Sequence, residues 1–341
     1  MNKASIKDVA KLAGVSATTV SYVLNNKPSQ TISKKTKDKV FKAAKTLNYI
    51  PNLNARSLAS KKTNLIGVVI PQTEPGKEFM FSNPFYGELL SSIEYTARLN
   101  GFHILISGTA ENQSYINIAK NRVMDGIIFV GLFPGEELET LKGYNVPKVL
   151  VDSYVNDDAF HTIGIDDELG GQLATEYLIK NGHKDIAFVS GALIDNGVNS
   201  MRYSGYCKAM ENAGLKIKKE AVYTGSVDFD YGISVAQEMC KKGCKETAAF
   251  ITADVLAIGL IKGFYQMGKS VPEDISVVGF DNVYLSQMSY PSLTTIRQDI
   301  SQKGREAVAL IIESLKNKDF ENKNITLPIS LVTRDSVIRK E

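Results

Sequence analysis

Long apolar runs are missing from this 341-residue chain. No stretch reaches the 18 or so apolar residues that a membrane-crossing helix needs, so none is expected. Cysteine is scarce as well: Cys207, Cys240 and Cys244 are too few and too irregularly spaced for a disulfide framework. Cys240 and Cys244 stand one helical turn apart with no histidine beside them, which predicts helical thiols rather than a zinc site. Histidine is confined to His103, His161 and His183, none of them in a motif. There is no Gly-rich phosphate loop, no His-x-x-x-His pair and no Ser/His/Asp set at recognisable spacing. Catalysis is therefore not expected, nor is a cofactor or a metal. The first residues lack the apolar core of a secretory signal, because Lys3, Lys7, Asp8 and Lys11 interrupt it, so a cytoplasmic location is expected. Neither an internal repeat nor a low-complexity tract is evident.

The composition is that of a globular protein with ample core: 43% of residues are hydrophobic and mean hydropathy is −0.10. The net charge of +3 conceals a segregation. Residues 1–62 carry 13 Lys/Arg against Asp8 and Asp38, a net of +11, which leaves 27 basic and 35 acidic residues, a net of −8, for the rest. A basic head suited to a polyanion on a mildly acidic body is implied.

Residues 5–25 are the most informative stretch. Ile6, Val9, Ala10 and Ala13 recur on one helical face, Gly14 breaks the helix, and Ser16 is a good N-cap for a second helix that turns Val20, Val23 and Leu24 inward. Two short helices joined by a glycine turn predict a helix-turn-helix, whose second helix can enter a DNA major groove. Ala17, Thr18 and Tyr22 lie at its start and on its outer side, so they are the expected base contacts. Ser16, Thr19, Ser21, Asn25 and Lys34 are expected to meet phosphates, which set register rather than sequence. A third helix is predicted from Ser33, with Val40, Ala43, Ala44 and Leu47 inside and Lys34, Lys35, Lys37, Lys42 and Lys45 outside. Tyr49-Ile50-Pro51-Asn52 closes the head. Residues 53–60 can form only about two helical turns, a marginal linker helix that needs something to order it.

From Asn64 onward apolar runs alternate with amphipathic stretches. Strands are predicted at 64–70, 103–106, 126–130, 148–151, 186–190, 248–252, 275–279 and 329–332. Helices are predicted at 84–99, 167–181, 201–213, 230–242, 255–267 and 299–316. Such alternation means parallel sheets covered by helices, and so many strands predict two α/β subdomains. Asp152 and Asp281 follow predicted strands, Phe85 follows the helix-starting pair Asn83-Pro84, and Arg202 stands near a helix start. Asp254 is expected to cap the helix that begins at Val255. Carboxylates, a forked guanidinium and an aromatic platform around a cleft suit a polyhydroxylated ligand. For Asp281 and Arg202 the alternative is a structural salt bridge or cap.

The chain resembles the lactose/galactose repressor family (LacI/GalR) of bacterial transcription regulators. The resemblance runs through Ile6-Lys7-Asp8-Val9-Ala10, Ala13-Gly14-Val15-Ser16 and Thr19-Val20-Ser21, then Tyr49-Ile50-Pro51-Asn52, Ala55-Arg56 and Leu58-Ala59. In the body it is carried by Asn83-Pro84-Phe85-Tyr86, Asp125-Gly126-Ile127-Ile128, Gly182-His183, Arg202 with Gly205-Tyr206, Ala257-Ile258-Gly259 and Gly279-Phe280-Asp281-Asn282. Tyr22 stands where the family usually has Arg, and Ala253 where it usually has Asn or Ser. Residues 72–82 are longer than usual, and the helix near 112–121 shorter.

The resemblance implies an all-α helix-turn-helix head and an α/β periplasmic-binding-protein-like body of two Rossmann-like parallel-sheet subdomains. The implied head is 1–50, the hinge helix 51–62 and the body 63–341. Within the body the N-subdomain would take about 63–163 and 295–325, the C-subdomain about 164–294 and 326–341. The hinge residues Asn52, Ala55, Arg56, Leu58 and Ala59 would enter the minor groove, with Leu58 wedged at the central step. Phe85, Asp152, Asn196, Arg202, Asp281 and Gln298 would line the effector site. The expected partners are double-stranded operator DNA, a second copy of the chain and a small effector, a sugar or sugar derivative. A phosphorylated partner protein or a nucleobase co-repressor is the alternative switch. The final residues show no apolar heptads for a tetramer-forming tail, so a homodimer on a palindrome is expected.

Overall fold

A computed structural model describes residues 4–24, 31–49, 62–71, 80–109, 124–131, 136–155, 157–317 and 319–340. The chain divides into two compact units, Met1–Thr63 and Asn64–Glu341.

The described part of the first unit is three helices, α1 (Ile6–Ala13), α2 (Ala17–Leu24) and α3 (Lys34–Thr46). Ser5 and Asp8 form a reciprocal capping box at the start of α1: Ser5 N donates to Asp8 Oδ2 at 2.8 Å, and Asp8 N donates to Ser5 Oγ at 3.3 Å. Gly14 ends α1 in the left-handed region at φ +67°, where a side chain would be strained, and so turns the chain into α2. Ser33 caps α3. Val9, Ala10, Ala13, Val20, Val23, Val40, Ala43 and Ala44 form one small buried core, with Leu24 and Leu47 packed against it.

Among the described residues the second unit contains two six-stranded sheets. Its strands are β1 (Leu65–Pro71), β2 (His103–Thr109), β3 (Gly126–Val130), β4 (Lys148–Val151), β5 (His161–Ile165), β6 (Ile186–Gly191), β7 (Val222–Gly225), β8 (Ala248–Ile251), β9 (Ser276–Asp281), β10 (Thr294–Gln298), β11 (Asn324–Leu327) and β12 (Ile329–Val332). Its helices are α4 (Pro84–Leu99), α5 (Glu136–Lys142), α6 (Asp167–Lys180), α7 (Val198–Asn212), α8 (Phe229–Lys241), α9 (Asp254–Gln266), α10 (Leu285–Met288) and α11 (Ile300–Lys316). The first sheet runs β11-β5-β4-β3-β1-β2 and the second β12-β10-β9-β8-β6-β7. Among the described residues every pairing is parallel except β10 with β12. β3 and β4 are buried along their whole length, as strands covered on both faces should be.

Alternation along the strands splits each sheet's core in two. In the first sheet Ile66, Val68, Ile70, Ile128 and Val130 pack with α4 and α11, while Val69, Ile127, Phe129 and Leu150 face Leu138, Leu141 and Phe160. In the second, Phe188, Phe250, Val278 and Phe280 meet α6 and α7, and Ala249, Ile251 and Val277 meet α8 and α9.

The chain passes between the sheets after β5, after β10, and between β11 and β12. The crossing expected at 295 is displaced: Thr294–Arg297 pair in register with Val278–Asp281, so β10 belongs to the second sheet and the passage follows Gln298. β5 likewise stays in the first sheet to Ile165, and β11 to Leu327. β5, β7, β10 and β11 are strands, and α5 and α10 helices, that the apolar pattern does not single out. They are short, or edge strands of mixed polarity such as Asn324–Leu327, whose residues are exposed or half-buried. The helix expected from 201 begins at Val198. Cys240 and Cys244 meet at 3.2 Å between Sγ atoms and pack against the core, but only Cys240 is helical as expected: α8 ends at Lys241, and Cys244 follows the turn after it at φ +45°. Among the described residues no helix is long and apolar enough to cross a membrane. The short helix expected near 112–121, residues 72–79 of the long segment and the hinge residues Asn52, Ala55, Arg56, Leu58 and Ala59 lie outside the described residues.

Candidate DNA-binding face and effector cavity

In the head, Ser16 Oγ accepts from Thr19 N at 3.0 Å and lies 2.9 Å from the Thr19 hydroxyl, so both residues serve to start α2. Thr18 is exposed, and Thr19, Ser21 and Tyr22 are half-buried. Ala17 packs partly against the head core, which leaves less of it for a base than its position suggests. Lys34 is exposed at the start of α3; Asn25 lies outside the described residues. Lys7, Lys11, Lys35, Lys39, Lys42 and Lys45 are exposed on the same small unit, which concentrates positive charge.

The body holds a cavity of about 150 Å3. It lies beyond the C-terminal ends of strands from both sheets, where open parallel sheets place ligands. Phe85, Asp152, Arg202, Asp281 and Gln298 line it together. Asn196, the sixth expected residue, is not in the wall; it takes the left-handed conformation at φ +57° in the turn before α7, and Asn199 reaches the cavity instead.

Helix packing places Arg202. A Cβ on Gly205 would lie 1.9 Å from Glu168 O, and one on Gly171 2.1 Å from Arg202 O, so these two glycines let α6 and α7 touch backbone to backbone. At that separation Arg202 Nε donates to Asp167 Oδ1 at 2.7 Å and Nη1 to Thr252 O at 2.5 Å, with the guanidinium 3.6 Å from the centre of the Phe280 ring. Arg202 does form a structural salt bridge, but with Asp167 rather than Asp281. Tyr154 donates to Asp167 Oδ2 at 2.7 Å, and burial beside that carboxylate pushes its phenol pKa up.

Lys303 joins the other side. It is fully buried on α11, donates to Asp152 and to Gln298 Oε1, and lies 5.7 Å from the centre of the Phe85 ring. Gln298 Nε2 donates in turn to Asp281 Oδ1 at 2.6 Å. Burial raises the pKa of the Asp152 carboxyl, with Lys303 opposing the shift. Burial likewise pushes Asp281 up to about 6, against the pull of Arg202. Sequence reasoning missed Lys303 and Asp167. Lys303 was detectable, because it shares the inward face of α11 with Ile300, Ala307 and Ile311.

Asp254 does not cap α9. Its carboxylate joins segments far from it in the chain, accepting from Val283 N just after β9 at 2.9 Å and from Thr295 Oγ1 in β10 at 2.6 Å, and the N-cap position falls to Ala253. Thr252, fully buried at the cavity wall, has a hydroxyl with no hydrogen-bond partner among the described residues. Leaving such a group unsatisfied costs on the order of 1–3 kcal/mol.

The model for bacterial regulatory proteins of the lacI family matches residues 5–52, and that for a periplasmic binding protein-like domain matches residues 175–337. The HTH-type transcriptional repressor PurR of Vibrio campbellii is 34% identical over 98% of this chain and 98% of its own. The chain belongs to the lacI family of bacterial regulatory proteins. Catabolite control protein A of Priestia megaterium, another relative, is 35% identical over 97% of this chain and 98% of its own. Among solved structures, a lac repressor dimer bound to operator and the anti-inducer ONPF superposes with a TM-score of 0.84, at 28% identity over 99% of this chain and 100% of that one. As a member of the lacI family the chain is a DNA-binding transcriptional regulator and not an enzyme.

Proposed function

We propose that this regulator is a cytoplasmic repressor that binds a near-palindromic operator as a homodimer and is switched by a small, sugar-like ligand in the body cavity. The observation that carries this reading is the convergence of Asp152, Arg202, Asp281, Gln298 and Phe85 on one cavity between two sheets joined by three crossings. Carboxylates and a guanidinium supply bidentate hydrogen bonds to vicinal hydroxyls, and Phe85 supplies an apolar platform. A change in the relation of the two sheets is the mechanical step that would be passed to the hinge.

On the DNA side, Thr18 and Tyr22, with Ala17 in a lesser part, read bases from the start of α2. Ser16, Thr19, Ser21, Asn25 and Lys34 hold phosphates. Asn52, Ala55, Arg56, Leu58 and Ala59 form the minor-groove element, with Leu58 as the wedge. Replacing Leu58 by Ala should lower operator affinity about tenfold or more and reduce DNA bending, read by gel mobility with permuted sites. Unchanged affinity and bending would remove Leu58 from the interface.

Operator fragments recovered by genomic footprinting, titrated with protein in the presence of sugars, purine bases or a phosphorylated carrier protein, test the switch. A sugar that shifts operator affinity supports the reading. A response only to purine bases or only to the phosphoprotein replaces it with the corresponding alternative.

A further inference from the structure

Thr252 follows β8 at the C-terminal edge of the second sheet, is 1% exposed and lines the cavity. Its carbonyl accepts from Arg202, but its hydroxyl meets no partner among the described residues. Other buried hydroxyls of the unit are engaged: Ser190 on Gly191 O at 2.8 Å, Thr175 on Gly171 O at 2.8 Å, Ser286 on Val283 O at 2.7 Å and Ser336 on Val277 O at 2.6 Å. The one other buried side-chain oxygen or nitrogen so orphaned among the described residues is Tyr223 Oη, and Tyr223 is not a cavity residue. A buried hydroxyl without a partner destabilises the free protein, and a polar atom arriving with a ligand would relieve that.

The starts of two helices flank the same wall. α7 begins after Gly197 and α9 after Ala253, both lining the cavity, and neither N-cap residue places a side chain on the first-turn N–H groups. By contrast Asp166, Asp228 and Asp299 cap α6, α8 and α11. Open first-turn N–H groups favour an incoming oxygen.

Charge restricts what carries that oxygen. Lys303 is held by Asp152 and Gln298, and Arg202 by Asp167 and the Thr252 carbonyl. With Asp281 added, the carboxylates in and behind the wall outnumber these cations, so a phosphate would meet acceptors where it needs donors. A neutral ligand with hydroxyl or N–H donors suits Asp152 and Asp281.

We propose that Thr252 fixes the specificity of this cavity: its hydroxyl, with the open helix starts at Val198 and Asp254, takes an oxygen of an uncharged ligand whose donors face Asp152 and Asp281. The inference rests on the reading of the cavity as the effector site and adds the ligand's charge and its anchoring residue.

The test uses the full chain without DNA, as wild type, Thr252→Val and Thr252→Ser. Binding of D-glucose, D-ribose, cellobiose, hypoxanthine and glucose 6-phosphate is read by melting temperature and calorimetry. At least one uncharged probe should bind wild type and glucose 6-phosphate should not. Thr252→Ser should keep that affinity within about threefold, whereas Thr252→Val should lose roughly tenfold or more. Ligand-free Thr252→Val should melt at or above wild type, since it removes only an unpartnered hydroxyl. The proposal is overturned if Thr252→Val binds as wild type does, if its ligand-free form melts well below wild type, or if no uncharged probe binds. Binding of glucose 6-phosphate alone would also overturn it. An uncharged probe that binds as expected but leaves operator affinity unchanged contradicts the regulatory reading instead, and leaves the Thr252 assignment standing.

Discussion

Lys303 sets the charge balance of the cavity. It is the fully buried cation between Asp152 and Gln298, and through Gln298 it reaches Asp281. Breaking a buried pair by removing one partner leaves an uncompensated charge, so Lys303→Met should destabilise the body by about 3–5 kcal/mol. Adding Asp152→Asn should recover part of that loss, and urea unfolding of the single and double variants measures both. Asp281 makes a pH prediction. Its carboxyl is raised from 3.8 to about 6, chiefly by burial, beside Arg202, Gln298, Lys303 and Asp152. A raised folded-state value favours the protonated form. Its stabilising contribution is therefore full below about pH 4 and is lost as the pH rises through about 6. Asp152 is raised too and adds in the same sense. The wild-type melting temperature relative to Asp281→Asn should fall between pH 5 and pH 7; a constant difference would show that Asp281 does not titrate there.

At the scale of elements, the contact between α6 and α7 positions the guanidinium. A Cβ at position 205 would sit 1.9 Å from a backbone oxygen, which no side-chain adjustment relieves. Gly205→Ala should therefore separate the helices, weaken the Arg202–Asp167 pair and cost about 1–3 kcal/mol, with a parallel loss of ligand affinity. Unaltered chemical denaturation would show the helices to be less tightly joined. Helices with a clear apolar face, and strands buried on both sides such as β3 and β4, were legible in the sequence because their pattern is their environment. Edge strands such as β11 were not, since half their residues are solvated and pairing alone defines them. The break at Gly14 and the cap at Ser16 were written locally and could be read locally. Asp254 could not: its carboxylate serves Val283 and Thr295, partners that only the tertiary fold brings near. Asn196 stands outside the cavity wall, where the turn at 194–197 places Asn199 instead.

At the scale of the whole molecule, a basic unit, with three helices among its described residues, precedes an acidic body. In the function proposed above, phosphate neutralisation would supply affinity in the first, and the cavity between sheets would be the place for control in the second. The sequence carried this division through its charge segregation and the change of apolar period at Asn64. It did not carry the passage after β10, because Thr294–Gln298 reads as polar and becomes a strand only beside β9. Control of one unit through the other is a coupling free energy, and coupling between two binding sites is reciprocal. The most direct measurement is therefore a pair of titrations on the full chain: operator affinity with and without saturating ligand, and ligand affinity with and without saturating operator. The same factor is expected in both, roughly 5–150-fold. Ligand affinity identical for free and operator-bound protein would contradict it.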